Sequence, residues 1–274
     1  MWPVAPRVGV HSGTILRMSR VMAHVDSEAL ARSLADLDRP DGDGVDVGQG
    51  IERVILGAAS VFAGSGVGLM MIADDGLTLR YVASSDELAR RLERAHEKAG
   101  EGPCIDAFVR DSRVQTDDLM TESRWPALRR ELHAEPIRAV LGLPTRLGTP
   151  VGTLNLYCER PRTWDASEIA ALEAYNALLE ARLGGALIAR AQGALVDQLQ
   201  FALDSRVVIE RAIGLLMGRD GLDNLAAFGE LRRNARNSRR RVLAVAEEVL
   251  AAHPQGGLDG SGPPAASDGY FPSG

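Results

Sequence analysis

The sequence predicts an α+β protein: an antiparallel sheet with flanking helices, a connector helix and a C-terminal three-helix module. Two pairs of apolar segments predict the sheet. Residues 67–73 and 77–83 flank an Asp-Asp-Gly turn at 74–76, and residues 139–144 and 151–157 flank a Gly-Thr-Pro turn, so each pair forms a hairpin. Apolar residues at helical spacing lie between and after these pairs, which places helices against one sheet.

Five helices and one further strand are predicted around the hairpins. The helices cover residues 25–37, 51–62, 84–99, 105–110 and 125–133, and the strand covers residues 114–116. Ser84 or Ser85 is the predicted N-cap of the third helix, because Glu87 completes a capping box with Ser84.

The chain divides into five predicted segments. They are a weakly ordered N-terminal segment at 1–46, an α+β domain at 47–164, a connector helix at 165–198, a three-helix module at 199–253 and a disordered tail at 254–274. Asp165 is the predicted cap of the connector, whose apolar residues recur every three or four positions. Two interpretations stay open for it: a helix packed on its own sheet, or the seam of a dimer.

Composition indicates a packed globular protein, with 45% hydrophobic and 25% charged residues among 274. No segment approaches eighteen uninterrupted apolar residues, so no membrane span is predicted. Residues 1–20 lack an apolar signal-peptide core, and Met18 or Met22 is an alternative start. Cys104 and Cys158 show neither zinc-ligand nor disulfide-scaffold spacing, so a reducing, cytoplasmic compartment and no metal are expected.

Sequence motifs of common enzymes are not recognisable in the chain. The sequence contains no P-loop, no GxSxG, no HExxH and no dinucleotide fingerprint. The expectation is therefore a protein without catalytic activity and without a cofactor. Cys104 is expected to be a buried structural residue, and His96 and His133 are expected on the surfaces of polar helices.

Arginine supplies nearly all positive charge, with 30 Arg and a single Lys. Residues 203–253 hold nine Arg against seven acidic residues, a balance of +2. The rest of the chain then carries −8 of the total of −6. Residues 231–241 (LRRNARNSRRR) contain six arginines and no acid, so positive charge is concentrated in the three-helix module.

Helix electrostatics separates these arginines into two groups. Arg232, Arg233 and Arg236 lie in the last turns of the module's second predicted helix, where the macrodipole favours cations. Arg239, Arg240 and Arg241 fall in the first turn of a third helix predicted to start at Ser238. There the dipole disfavours each exposed cation by roughly 0.3–1 kcal/mol. The nearest downstream acids lie too far along that helix for a first-turn pair, so the pattern indicates a phosphate site.

Residues 208–217 (VIERAIGLLM) resemble the opening signature of the ANTAR family of RNA-binding antiterminators. Gly221, the Ala-Ala-Phe step at 226–228 and Val245 follow at the family's spacing. Two positions depart from the family pattern: Ile213 stands where Lys is common, and Arg239 stands where Asn is common.

The upstream domain resembles the GAF domains of actinobacterial GAF–ANTAR proteins. The likeness rests on residues 100–107 (GEGPCIDA), Asp118, Trp125 and residues 152–157 (GTLNLY). It implies a cytoplasmic, signal-responsive antiterminator that binds paired stem-loops in nascent RNA. It also implies a homodimer through the connector, and an unknown small ligand or signalling partner at the GAF-like domain.

The predicted RNA-binding residues all lie in the module. The primary candidates are Arg239, Arg240 and Arg241, with Arg232 and Arg236 assisting and Arg206 and Arg211 as secondary candidates. Charge alone does not distinguish RNA from DNA, because a basic three-helix module also fits a helix-turn-helix reader of the major groove. A sensor-linked DNA-binding regulator is therefore the main alternative, and docking of an acidic protein partner is the third.

Overall fold

A computed structural model describes residues 25–39, 47–62, 64–73, 79–188 and 194–253. The predicted turn at 74–76, the N-terminal residues 1–24 and the predicted tail at 254–274 lie outside the described residues. Within the described part of the chain, no helix has the length and apolarity needed to cross a membrane.

In the described part of the chain, five strands form one antiparallel sheet in the spatial order β2-β1-β5-β4-β3. The strands are β1 (Ser65–Ile72), β2 (Leu79–Ser84), β3 (Val114–Thr116), β4 (Ala139–Leu147) and β5 (Thr149–Cys158). The pairing of β1 with β2 and of β4 with β5 confirms both predicted hairpins. Gly148 joins β4 to β5 with a φ of +77°, a conformation that glycine adopts without a steric penalty.

Six helices of the described residues belong to the same domain as the sheet, which confirms the predicted α+β class. They are α1 (Ser27–Asp38), α2 (Val47–Val61), α3 (Glu87–Ala99), α4 (Pro103–Arg110), α5 (Pro126–Glu131) and α6 (Ala166–Ile188). Helices α2 and α6 pack against each other and against the sheet, and α3 packs with α5 and β1. The strands β4 and β5 are almost fully buried because helices contact both of their faces.

The predicted cap of α3 is wrong. Asp86 is the N-cap, because its Oδ1 accepts the backbone N–H of Ala89 at 2.8 Å. The Ser85 hydroxyl donates to Asp86 Oδ2 at 2.7 Å instead of capping the helix itself. The predicted cap of the long helix is confirmed: Asp165 Oδ1 accepts the N–H of Glu168 at 2.9 Å.

Helix α6 lies on the sheet domain over its whole described length. Leu172, Tyr175 and Leu179 are fully buried, and the Tyr175 ring lies 6.3 Å from the ring of Phe62 after α2. The connector therefore packs on the sheet of its own domain, which was the first of the two predicted arrangements. Ile188, at the end of α6, is 87% exposed. A dimer seam through this region stays a prediction.

Three helices follow, as predicted: α7 (Ala194–Asp220), α8 (Asn224–Ser238) and α9 (Val242–Ala251). Helix α7 begins inside the predicted connector of 165–198, five residues before the predicted start of the module at 199. Asp223 caps α8 by accepting the N–H of Ala226 at 2.8 Å. Ile209, Leu231 and Ala246 are buried between the three helices. The predicted start of the third helix at Ser238 is wrong, because α8 extends to Ser238 and α9 begins four residues later.

Candidate nucleic-acid interface

The turn between α8 and α9 consists of three arginines. Arg239 has a left-handed backbone with a φ of +53°, and the N–H of Arg240 bonds to Ala235 O at 3.0 Å. These features form the C-terminal cap of α8, a place usually taken by Gly or Asn. Arg241 is the N-cap residue of α9, without a side-chain cap bond. The predicted placement of Arg239, Arg240 and Arg241 in a first helical turn is therefore corrected.

The electrostatic environment of these arginines differs from the predicted one. Arg239 lies at the C-terminal end of α8, where the helix dipole favours a cation. Only Arg241 borders the N-terminus of α9. Unpaired positive charge beside that N-terminus still favours an anion there, because the N–H groups of the first turn point outward.

We name the arginine corner the set Arg232, Arg236, Arg239, Arg240 and Arg241. Within the described residues, Arg236, Arg239 and Arg241 are exposed and have no carboxylate within ion-pair distance. Arg240 forms an ion pair with Glu248. The sequence predicted no such pair, because Glu248 lies too far along the third helix to reach a residue in its first turn.

The pair between Arg240 and Glu248 has a simple geometric cause. Arg240 precedes α9 rather than lying in it, so its long side chain runs along the helix surface and its Nη2 also donates to Ala244 O at 3.3 Å. Both side chains are largely exposed, so the pair is weak and opens at little cost.

A groove of about 590 Å³ lies beside the arginine corner, between the end of α8 and α9. Its polar lining includes Asn234, Asn237, Arg240 and His253. Amide, imidazole and guanidinium groups are the donors and acceptors that recognise the edges of unstacked bases. The corner thus combines concentrated positive charge with a polar groove.

The backbone of Arg239 yields a first prediction. A left-handed φ costs a residue with a Cβ roughly 1–2 kcal/mol, and Asn tolerates it better than Arg does. We expect Arg239→Asn to raise the free energy of unfolding by about 0.5–1 kcal/mol and to weaken RNA binding. Denaturant titration and an RNA-binding titration on one preparation check both effects. A variant less stable than the wild type would contradict the proposed conformational cost.

Arg206 does not lie with the exposed arginines. Its side chain is buried, its Nε donates to Glu210 at 2.7 Å, and its guanidinium lies 4.7 Å from the ring centroid of Phe108 on α4. The sequence analysis made Arg206 a secondary RNA-binding candidate, but its buried side chain cannot reach an RNA phosphate in this structure. Arg211, five residues further along α7, is exposed, as expected.

The three-helix module contacts the sheet domain through α4 and through Gly100, the C-terminal cap of α3. The Phe108 and Phe228 rings meet edge to face with centroids 6.3 Å apart. Arg232 is half-buried there, and its Nη1 donates to Gly100 O at 2.7 Å. We name the α4 contact the set Gly100 and Phe108 of the sheet domain with Arg206, Phe228 and Arg232 of the module. Two predicted RNA-binding arginines are thus held by the sheet domain.

The interior of the sheet domain contains a polar cluster that the sequence analysis missed. His96 is fully buried, so its predicted place on the surface is wrong, whereas His133 is exposed as expected. Burial of Cys104 is confirmed. The signal was present in the sequence, because Glu93 and His96 share the helical stripe of Leu92 and Ala89, and this stripe faces the core.

Burial shifts the pKa values of this cluster. Loss of hydration raises the pKa of Glu93 to about 8 and lowers that of His96 to about 4. Burial, together with the nearby Glu93 carboxylate, also raises the pKa of the Cys104 thiol. Burial therefore favours the uncharged form of all three groups.

These features define a class: an α+β domain packed against a three-helix module whose outer turn is rich in unpaired arginine. Residues 49–179 match the family model of the GAF domain, and residues 197–250 match that of the ANTAR domain. The chain therefore has the GAF–ANTAR architecture. GAF domains are signal sensors and ANTAR domains are RNA-binding modules of transcription antitermination, so both parts are regulatory in kind.

Solved structures similar to this chain include two GAF domains of phosphoenolpyruvate-protein phosphotransferases. The Acinetobacter domain is 14% identical with a TM-score of 0.48, and the match covers 61% of this chain and 96% of that one. The Coxiella burnetii domain is 16% identical with a TM-score of 0.49, covering 60% and 96%.

A third similar structure is the free methionine-R-sulfoxide reductase of Neisseria meningitidis in complex with its substrate. It is 17% identical with a TM-score of 0.44, covering 57% of this chain and 86% of that one. No curated protein matches the sequence. Likeness at this level assigns no activity to this chain.

Proposed function

We propose that the protein is a signal-responsive transcription antiterminator that binds stem-loops in nascent RNA through the arginine corner. The observation that carries this proposal is the group of three exposed arginines, Arg236, Arg239 and Arg241, without carboxylate partners in the described structure. Guanidinium groups make bidentate bonds with phosphates and stack on unpaired bases, which suits the loop of an RNA hairpin. The groove beside them would receive a base from that loop.

The main alternative is a sensor-linked DNA-binding regulator. A helix-turn-helix reader inserts one helix into the major groove and contacts bases from its exposed face. The exposed arginines here cluster instead at the turn between α8 and α9, which favours a phosphate backbone and a protruding loop over a helix laid in a groove.

A binding titration separates these functions. The full chain is titrated against a hairpin RNA with an unpaired loop and against duplex DNA of equal charge, at the same salt concentration. We expect the hairpin to bind at least tenfold more tightly than the duplex. Equal or tighter duplex binding would support the DNA-binding alternative. Binding to neither nucleic acid would leave the docking of an acidic partner.

Control by a signal is proposed to act through the α4 contact. In this arrangement the GAF domain holds Arg206 and Arg232, so the module presents only part of its positive charge. An aromatic edge-to-face pair contributes about 0.5–1.5 kcal/mol, and a desolvated cation–π contact about 2 kcal/mol. A contact of this size opens in response to a ligand that favours the open form by a few kcal/mol.

The variant Arg206→Ala tests this arrangement. Loss of the guanidinium weakens the contact with Phe108 and leaves the arginine corner intact. We therefore expect RNA affinity to rise severalfold and up to about 30-fold, because a desolvated cation–π contact contributes about 2 kcal/mol and 1.4 kcal/mol corresponds to a factor of ten. Hydrogen exchange in α4 should increase in parallel.

Arg211→Ala is the matched control on the same helix, since Arg211 is exposed and lies outside the α4 contact. It should leave exchange in α4 unchanged and lower RNA affinity slightly. If Arg206→Ala lowered RNA affinity as much as a corner variant does, Arg206 would be a phosphate contact after all.

Dimerisation and a cytoplasmic location complete the proposal. Ile188 at the end of α6 and Val207 on α7 are 87% and 62% exposed, and exposed apolar side chains near a helical junction suit a subunit interface. Two modules in one dimer would engage the two stem-loops of a paired RNA target together.

A further inference from the structure

The buried polar cluster of the GAF domain lies where α3, α4 and the sheet meet. Glu93 and His96 belong to α3, and Cys104 is the second residue of α4. Carboxylate, imidazole and thiol are the three side-chain types that bind zinc in proteins. All three residues are fully buried, and most of the buried side chains in this domain are apolar.

The distances within the cluster match an ion-binding triangle. Cys104 Sγ lies 3.4 Å from His96 Nδ1 and 3.9 Å from Glu93 Oε2, and Nδ1 lies 3.7 Å from Oε2. The point in the plane of these three atoms that is equally far from each lies about 2.1 Å from them. Bonds from zinc to such ligands are about 2.0–2.3 Å long, so the two values agree. An ion therefore fits with shifts of a few tenths of an ångström.

Charge also favours a divalent cation. Ligation requires a thiolate and a carboxylate, so an ion of charge +2 forms a neutral site with Cys104 and Glu93. A neutral site is compatible with full burial, whereas the two anions without the cation would not be.

Polar groups around the cluster support the ligands. Asn155 Nδ2 donates to Glu93 Oε1 at 2.9 Å, which orients the carboxylate and leaves Oε2 directed at the other two residues. His96 Nε2 and Asn155 Oδ1 are buried, and within the described structure neither has a hydrogen-bond partner. Buried polar atoms without partners are uncommon, so unused hydrogen-bonding capacity lies beside the three ligand atoms.

Two glycines make room for the ligand side chains. A Cβ at Gly68 on β1 would lie 2.1 Å from Glu93 Oε1, and one at Gly102 would lie 2.6 Å from His96 Nε2. Glycine within a strand lowers stability, so its presence at position 68 indicates that Glu93 needs this space.

We propose that Glu93, His96 and Cys104 form a binding site for a divalent late transition-metal ion, zinc in the first instance. In the ion-free protein His96 Nδ1 lies 3.0 Å from Leu92 O. Because a carbonyl oxygen can only accept, this contact places the ring proton on Nδ1. Binding places that proton on Nε2, releases the thiol and carboxyl protons and directs the Nδ1 lone pair at the ion. Three protein ligands leave a fourth position for water or a small ligand.

The site is connected to the α4 contact through one short helix. Cys104 opens α4, and Phe108 lies one turn later on the same helix. If the proposed function holds, metal occupancy is thus a signal that the GAF domain passes to the module. Metal binding itself does not depend on that function.

Cobalt substitution tests the site in the full chain. Because the site is sealed from solvent, Co²⁺ is supplied to the folded protein and, in a second sample, during refolding from denaturant. We expect one equivalent of Co²⁺ to produce the visible bands of tetrahedral cobalt and a near-ultraviolet thiolate charge-transfer band, and Zn²⁺ to abolish both. If neither wild-type sample binds Co²⁺ saturably near one equivalent, the proposal is overturned without any variant.

The two cysteines provide matched variants. Cys104→Ser should lose the charge-transfer band, whereas Cys158→Ser, also a buried cysteine but outside the cluster, should keep it. Circular dichroism verifies that both variants fold. Glu93→Gln replaces the carboxylate with an uncharged amide of the same shape, so this variant should fold. It should bind Co²⁺ at least tenfold more weakly, because the amide is a poorer ligand. An unchanged charge-transfer band in folded Cys104→Ser would refute the assignment of the thiolate.

Discussion

Gly102→Ala is expected to lower the free energy of unfolding by about 3–5 kcal/mol. Gly102 has a φ of +135° and a ψ of 173°, a backbone conformation that is essentially confined to glycine and costs other residues about 1–3 kcal/mol. The new Cβ would also lie 2.4 Å from His96 Cδ2 and 2.7 Å from Leu128 Cδ2. Overpacking of this kind adds about 1–3 kcal/mol.

A loss of this size is a large part of the 5–15 kcal/mol typical of a folded protein. Gly185→Ala is the control, because Gly185 is exposed on α6 and a Cβ there meets no atom within 4 Å. That variant should be about 1 kcal/mol more stable than the wild type, since alanine is the better helix former. Denaturant titrations measure both. If Gly102→Ala were within 1 kcal/mol of the wild type, the tight approach of His96 to this turn would be refuted.

The double variant Arg239→Asn with Arg241→Gln is expected to bind hairpin RNA about 100-fold more weakly. Each charge-assisted bond to phosphate contributes about 1.5–3 kcal/mol, and 1.4 kcal/mol corresponds to a factor of ten. Asn at position 239 preserves the left-handed turn, so the loss would not come from unfolding. The dependence of log affinity on log salt should become shallower by about one unit for each arginine.

The control for this prediction carries the same change of charge. Arg94→Gln with Arg160→Gln removes two exposed arginines of the GAF domain that have no ion-pair partner among the described residues. It should change RNA affinity by less than threefold at 0.15 M salt, where distant exposed charges are largely screened. If the two double variants lost equal affinity, the effect would be one of net charge and not of the arginine corner.

The sequence predicted the sheet and most helices because local patterns specify them. Alternation and turn residues placed both hairpins, and apolar spacing placed α2, α6 and α7. The caps were less accurate. Helix α3 is capped by Asp86 and not by a serine. Asp and Ser are equally good caps, so the sequence alone does not distinguish them, and the path of the chain decides.

The site was predicted in composition but not in geometry. The arginines of residues 231–241 do meet at one turn, but the left-handed backbone of Arg239 moved the start of α9 from Ser238 to Val242. A non-glycine residue at that position gives no sequence signal. The contacts of Arg206 with Phe108 and of Arg232 with Gly100 join residues far apart in the chain, which periodicity cannot predict.

The buried cluster was missed for a different reason. The charged residues of α3 outnumber its apolar ones, and this average polarity predicts a surface position for His96. The stripe formed by Ala89, Leu92, Glu93 and His96 shows instead that two polar residues occupy the core-facing positions. A titratable residue on an otherwise apolar stripe is thus a better indicator of a site than the average polarity of its helix.

The central claim is that the arginine corner binds RNA in the cell. Crosslinking of RNA to the full chain in its native cell, followed by sequencing of the recovered fragments, tests it most directly. We expect transcript leaders with paired hairpins ahead of a terminator to be enriched with the wild type and lost with Arg239→Asn/Arg241→Gln. Equal recovery of the same leaders by that folded double variant, or recovery of no RNA by the wild type, would contradict the claim.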